Sequence, residues 1–173
     1  MKQLLIFCVE SQDAHHDSDG LYIKQALNHF YQFDQHKTIL RFIYMNGKYN
    51  YAKRQIQVQL KKFMDQLAAE DQAYVFYVCD KDEELPSDFR HASQIQAYCQ
   101  QKGYFLIWMN RNIEEVFWGR KVENGNKVKE AIRFKTSGRI QSLPESVFMN
   151  ENAQRRTTSN FLLVLDPWLK RKN

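Results

Sequence analysis

Three carboxylates stand directly behind apolar, strand-like runs: Glu10 behind LLIFCV, and Asp80 and Asp82 at the end of AYVFYVCDKD. Asp80 and Asp82 are two apart, so an extended segment sends both side chains off the same side. Two like charges there repel unless a cation sits between them. Magnesium suits such a pair, with Mn²⁺ as an alternative, because it takes oxygen ligands, keeps several waters and is commonly shared with substrate phosphates. Glu10, arriving from another strand, would bind the same ion or a second one, or act as general base. Lys48, delivered by the Asn46-Gly47 turn, would contact a phosphate or stabilise developing negative charge. The plainer reading also stands: an Asp at a strand end is often an N-cap or a solvated turn, and Asp-x-Asp alone is a weak signal. Convergence on one edge is what gives the set weight.

That convergence depends on the elements behind the residues. Continuous apolar runs at residues 4–9, 38–45, 73–79 and 104–108 predict strands. Between them, residues 21–33, 51–69 and 89–102 carry apolar stripes at helical spacing, the last ending at Gly103 as a C-cap. Strands alternating with helices at this spacing imply βαβ units: an α/β fold with a parallel sheet of about four strands flanked by helices, Rossmann-like. Ligands of such sheets bind beyond the carboxyl ends of the strands, where Glu10, Lys48, Asp80, Asp82, Asn110 and Glu114 all fall. Further on, residues 113–118 and 127–135 read as short helices, 137–153 as loop, and 159–169 as a closing helix with Ser159 as N-cap. The expected organisation is one domain over 1–173, with an α/β core at 1–110 and a basic extension at 111–173 packed on it.

Charge divides the same way. The net +5 is carried by the last third, where 13 Lys and Arg outnumber 7 Asp and Glu, while residues 1–110 hold 12 against 13. Surplus positive charge suits a polyanion, DNA or RNA, whose counterions it releases, although an inert basic surface is about as good a reading of charge alone. Candidate phosphate contacts are Arg155, Arg156, Lys170, Arg171 and Lys172. No apolar run approaches the roughly 20 residues of a membrane span, and the opening residues are charged too soon for a signal peptide. Cys8, Cys79 and Cys99 lie in apolar patterns without zinc spacing, as buried thiols of a reducing, cytoplasmic compartment. His15-His16-Asp17 with Asp19 is read as a solvated connection, since adjacent histidines point apart. Tyr44, Tyr49 and Tyr51 flank the glycine turn and could stack on bases, but ordinary packing is the simpler expectation.

With these residues in view, the chain resembles a Toprim-type domain of the RloB-like group, related to the OLD nucleases. LLIFCVES is similar to that family's first strand followed by Glu-Gly, with Ser11 in place of the glycine. FYVCDKD resembles its strand followed by Asp-x-Asp. WMNRNIEEVFW resembles its Asn-Pro-Cys-Phe-Glu-Leu-Trp segment, aligning Asn110 and Glu114 while Arg111 and Asn112 replace Pro-Cys. RRTTSNFLLVLD resembles a Ser/Thr-containing helix near the family's end. The resemblance implies a magnesium-dependent nuclease in bacterial defence against phage, with other defence proteins as partners. In it Asp80 and Asp82 would hold Mg²⁺, Glu10 would be a second ligand or base, and Glu114 would complete the site. A catalytically inactive nucleic-acid binder and a small-molecule phosphotransfer enzyme remain open beside it.

Overall fold

The computed structural model describes residues 1–82, 86–151, 155 and 157–172. The apolar runs form four strands, β1 (Gln3–Val9), β2 (Thr38–Tyr44), β3 (Gln72–Lys81) and β4 (Phe105–Asn110). All pair in parallel, in the order β2-β1-β3-β4. β1 and β3 are central and covered on both faces, which is why their runs are continuously apolar rather than alternating. Leu5, Phe7 and Val9 of β1 face one layer, and Leu4, Ile6 and Cys8 the other. The in-register residues Phe42, Phe7, Phe76 and Phe105 form an aromatic row across the whole sheet, with neighbouring centroids 5.7, 5.1 and 5.4 Å apart.

The helices divide between the faces. On the Phe7 face lie α1 (Ser18–Phe30), α4 (Ile113–Trp118), α5 (Lys127–Ser137) and α6 (Phe161–Leu165). On the other lie α2 (Arg54–Met64) and α3 (Pro86–Lys102). The chain leaves β1 for one face and β3 for the other, so the strand order reverses between them. That pair is the topological switch point, where the diverging helices leave a crevice at the carboxyl ends.

The helical stripes over 21–33 and 51–69 are real, but their helices begin or end elsewhere. α1 starts earlier, at Ser18, because Asp17 caps it by accepting the Gly20 N–H at 2.6 Å. Gly103, at φ 68°, ends α3 as expected, and the Tyr104 N–H closes the turn onto the Cys99 carbonyl at 2.8 Å. The closing helix is shorter than expected, running only over Phe161–Leu165. Residue 159 is instead bridged to β4 opposite Met109, and its hydroxyl accepts the Phe161 N–H at 3.1 Å, so Ser159 caps from one residue outside the N-cap position. The stretch 137–153 contains two tight turns, Arg139–Ser142 and Glu145–Phe148, the second burying Phe148. Among the described residues no helix is long and apolar enough to cross a membrane.

Candidate functional site

Glu10 is the first residue beyond β1, beside the crevice. Its two carboxylate oxygens accept backbone N–H groups from neighbours on either side: Oε1 from Lys48 at 3.2 Å, and Oε2 from Asp80. The Asn46-Gly47 turn makes this contact. With φ of 53° and 100° the two residues fold the chain back so that the Gly47 N–H reaches the Glu10 carbonyl at 2.9 Å. Such dihedrals are cheap for Gly and tolerated by Asn. The turn also buries Lys48, whose ammonium donates to the Asp80 carbonyl at 2.9 Å and to Asp82 Oδ2 at 3.1 Å.

Asp80 continues the row of Phe76 and Val78 toward the α1 and α4 face, where its Oδ1 accepts the Ile113 N–H at 2.9 Å. Arg111, at φ 77°, and the Asn112 cap of α4 bring that N–H into place. Asp82 does not share Asp80's direction. The strand ends at Lys81, so the two-residue alternation is lost and the Asp82 side chain lies half-exposed against Lys48. The pair spaced for a common ion thus has separate partners.

Two further carboxylates join Glu10 and Asp80. Asp19, in the first turn of α1, is buried, and its Oδ2 accepts the Ser11 N–H at 2.9 Å while its own N–H donates to the Ser11 hydroxyl at 3.2 Å. Glu114, in the first turn of α4, is 1% exposed, with Lys127 Nζ at 3.3 Å from Oε1 as an ion pair and, among the described residues, neither oxygen hydrogen-bonded. Burial pushes Glu10 up to about 7, reinforced chiefly by the charge of Asp19. Burial and then Glu114 push Asp19 up to about 6. Asp80 is raised well above the usual carboxylate range, by burial first and then by Glu10, Asp19 and Glu114. Desolvation opposes the Lys48 and Lys127 ammoniums, but Glu10 and Asp82 around one and Glu114 and Asp80 around the other outweigh it.

The edge opens into a cavity of about 410 Å³ lined by Glu10, Asp19, Asp80 and Lys127, with Asn124 and Gly125 ahead of α5 as one wall. Among the described residues, no three His, Cys, Asp or Glu side chains are grouped to hold a metal ion. The carboxylates are spread over backbone N–H groups and two lysines.

Asn110 ends β4 at the same edge, buried, and donates its side-chain amide to the Thr158 hydroxyl at 2.9 Å. That hydroxyl donates to the Arg155 carbonyl at 2.6 Å, which sets the exposed Arg155 near the carboxyl edge. Arg156 lies outside the described residues. Lys170, Arg171 and Lys172 are brought to the far end of α1: the Gln32 N–H donates to the Lys170 carbonyl, and the Lys172 N–H to the Phe30 carbonyl, both at 2.9 Å. Arg171 pairs there with Glu145 at 2.6 Å and Asp166 at 3.6 Å. These three do not share the acidic edge.

His15 and His16 are exposed, and the His16 ring pairs with Asp13 at 2.9 Å. The three cysteines are free and buried. Tyr44 and Tyr51 are engaged internally, by Asp17 and Tyr98 respectively, and Tyr49 is exposed with its ring against His91. Sequence reasoning set Asp17 and Asp19 aside as part of a solvated connection, whereas both are buried, and it missed Lys127. Asp19 was within reach, since the loop after β1 of an α/β sheet borders the crevice. Lys127 carries no local signal, because only the packing of α5 beside α1 and α4 brings it to Glu114. Comparison with protein-family models, with curated proteins and with solved structures finds no match to this chain.

Proposed function

We propose that the protein is a magnesium-dependent hydrolase of nucleic-acid phosphodiesters. The observation that carries the reading is the gathering of Glu10, Asp19, Asp80 and Glu114 beside the β1–β3 switch point, where burial and mutual repulsion drive the carboxyl groups of Glu10, Asp19 and Asp80 upward. An all-oxygen, net-negative donor set fits a hard divalent cation, as do the buried Glu114 oxygens without a hydrogen bond. Glu10, Asp80, Asp19 and Glu114 are the residues that would hold it, each giving up a backbone N–H or lysine partner to do so, since among the described residues no three are grouped around an ion as they stand. When bound, such an ion supplies an activated water and stabilises charge on the leaving oxygen. Lys48 is assigned to a substrate phosphate, with Asp82 orienting its ammonium, and Asn110 to bracing the 158–160 segment against β4. The similarity to RloB-like Toprim domains supports the same chemistry, and from it come a cytoplasmic role in phage defence and defence-protein partners. The spread of the carboxylates over N–H groups and lysines favours a second reading, an inactive nucleic-acid binder. Turnover separates them: cleavage of DNA, RNA or a small phosphodiester in Mg²⁺, lost in EDTA and in Asp80→Asn, is expected. Salt-dependent binding without any turnover would leave the binder.

A further inference from the structure

A second and larger cavity, of about 600 Å³, runs along the outer edge of β4 between α3 and α6. Its lining is of an unusual kind. Amides come from Gln96 and Gln100 on α3, and flat rings from Tyr104, Trp108 and Trp168. Gln96 and Gln100 are exposed, and Trp168, 36% exposed, leans on Tyr74 and Phe105. Among the described residues its charged lining is Lys81 and Glu151, which offset one another. The volume falls within the range of small-ligand clefts.

An edge strand beside an open cleft would ordinarily invite a peptide to add as a further strand. Here that route is blocked by the protein itself. The Trp108 N–H donates to Asn160 Oδ1 at 2.8 Å, the Leu106 carbonyl accepts from Asn160 Nδ2 at 3.3 Å, and the Asn110 N–H donates to the Thr158 carbonyl at 2.9 Å. With the ladder capped, recognition falls to side chains: π faces for stacking and amides for hydrogen-bonding edges. That pairing of chemistries suits unpaired nucleobases, which stack on aromatic rings and present donor and acceptor edges. The near-neutral lining suits bases inside and phosphates outside.

The cleft ends at Lys81 and Asn110, the residues that close β3 and β4, and Lys81 follows Asp80 directly. We propose that this cleft is the track for a single-stranded stretch of nucleic acid, whose continuing backbone reaches the acidic edge. The inference rests on the phosphodiester reading of that edge, and names its substrate as unpaired rather than duplex.

The test is fluorescence anisotropy with labelled oligo(dT), oligo(U) and a duplex of equal length, at low salt in EDTA so that nothing turns over. The wild type should prefer the single strands. Trp168→Ala should weaken single-strand binding roughly 5- to 150-fold, the range for loss of one stacking contact. Because Trp168 also packs on Phe105, the double variant Gln96→Glu/Gln100→Glu, on exposed positions where Glu is a good helix former, should weaken it by a similar factor with melting unchanged. No single-strand binding by the wild type, equal binding by wild type and both variants, or preferred duplex binding indifferent to both overturns the proposal. Hydrolysis of a bis-nitrophenyl phosphodiester by the wild type reads the acidic edge separately. Its absence with cleft-dependent oligonucleotide binding intact would sink the hydrolase reading and leave the cleft standing.

Discussion

The Glu10 carboxylate binds the backbone N–H of Asp80, not its side chain, and so ties the ends of the two central strands together across the switch point. Glu10 is therefore a structural bridge as well as a candidate ligand, whereas Asp80 projects its charge into the acidic cluster. The two residues should respond oppositely to neutralisation.

Glu10→Gln retains one acceptor oxygen but turns an amide N–H₂ toward a backbone N–H, leaving either Lys48 or Asp80 unsatisfied. An unsatisfied buried donor costs about 1–3 kcal/mol, and relief of repulsion from Asp19 offsets part of it. Chemical denaturation at neutral pH should show a net loss. A stability equal to or above wild type would show that the bridge contributes nothing.

Asp80→Asn keeps an oxygen able to accept the Ile113 N–H and removes a buried charge from beside Glu10, Asp19 and Glu114. Thermal unfolding in EDTA should match the wild type or rise, by about 2–4 °C for each kcal/mol of repulsion relieved in a chain of this size. Any Mg²⁺-dependent stabilisation or turnover should disappear. A large fall in the EDTA melting temperature would make Asp80 structural.

Stability should decline with rising pH between about 4.5 and 7, in the absence of divalent metal. Glu10 and Asp19 hold their protons to about 7 and about 6 in the folded state, above the values they have when unfolded. The native state therefore binds more protons than the unfolded chain in this window, and the slope of unfolding free energy against pH is negative. Their contribution is fully present below the unfolded values and is lost as pH passes through the folded ones. Saturating Mg²⁺ should flatten the decline, since an ion favours the deprotonated carboxylates. Denaturant titrations across the range, with and without Mg²⁺, measure both effects, and a metal-independent rise in stability over the window would refute the prediction.

Lys48→Met should be destabilising by about 3 kcal/mol at pH 8, the lower end for breaking a buried charge pair, because Asp82 on its far side is half-exposed. The penalty should shrink at pH 5, where Glu10 is protonated and needs no counter-charge. An equal penalty at both pH values would assign Lys48 to packing rather than charge.

With a single-stranded ligand, Arg155→Ala should flatten the dependence of log K on log salt by about 0.7 if it touches a phosphate, and replacing Arg156 as well by up to about 1.4. Arg171→Ala should instead lower stability with little effect on that slope, since Arg171 is committed to Glu145 and Asp166 at the opposite end of α1. Reversed behaviour of the two positions in salt-titrated binding would move the interface to the amino edge.

Much of the architecture was legible in the sequence because its signals are local. Unbroken apolar runs fix the buried strands, helical stripes fix the layers, and Asn46-Gly47 marks a turn whose positive φ few residues tolerate. Strand ends in a parallel sheet share one edge by construction, so Glu10, Lys48, Asp80 and Asn110 could be placed together from order alone. Tertiary structure decided what each of them does there. A carboxylate's direction depends on the strongest donors within a few ångströms, and the decisive ones come from distant residues: Ile113 for Asp80 and Lys48 for Asp82. Spacing two apart promised a shared direction only while the strand lasted, and β3 ends at Lys81. Lys127 reaches Glu114, and Arg171 is drawn away to Glu145, through packing of helices whose contacts have no period in the chain. Composition announced a basic last third, but whether its charges face the acidic edge or the opposite end is a matter of where α1 and α6 return the chain, which only the packed core fixes.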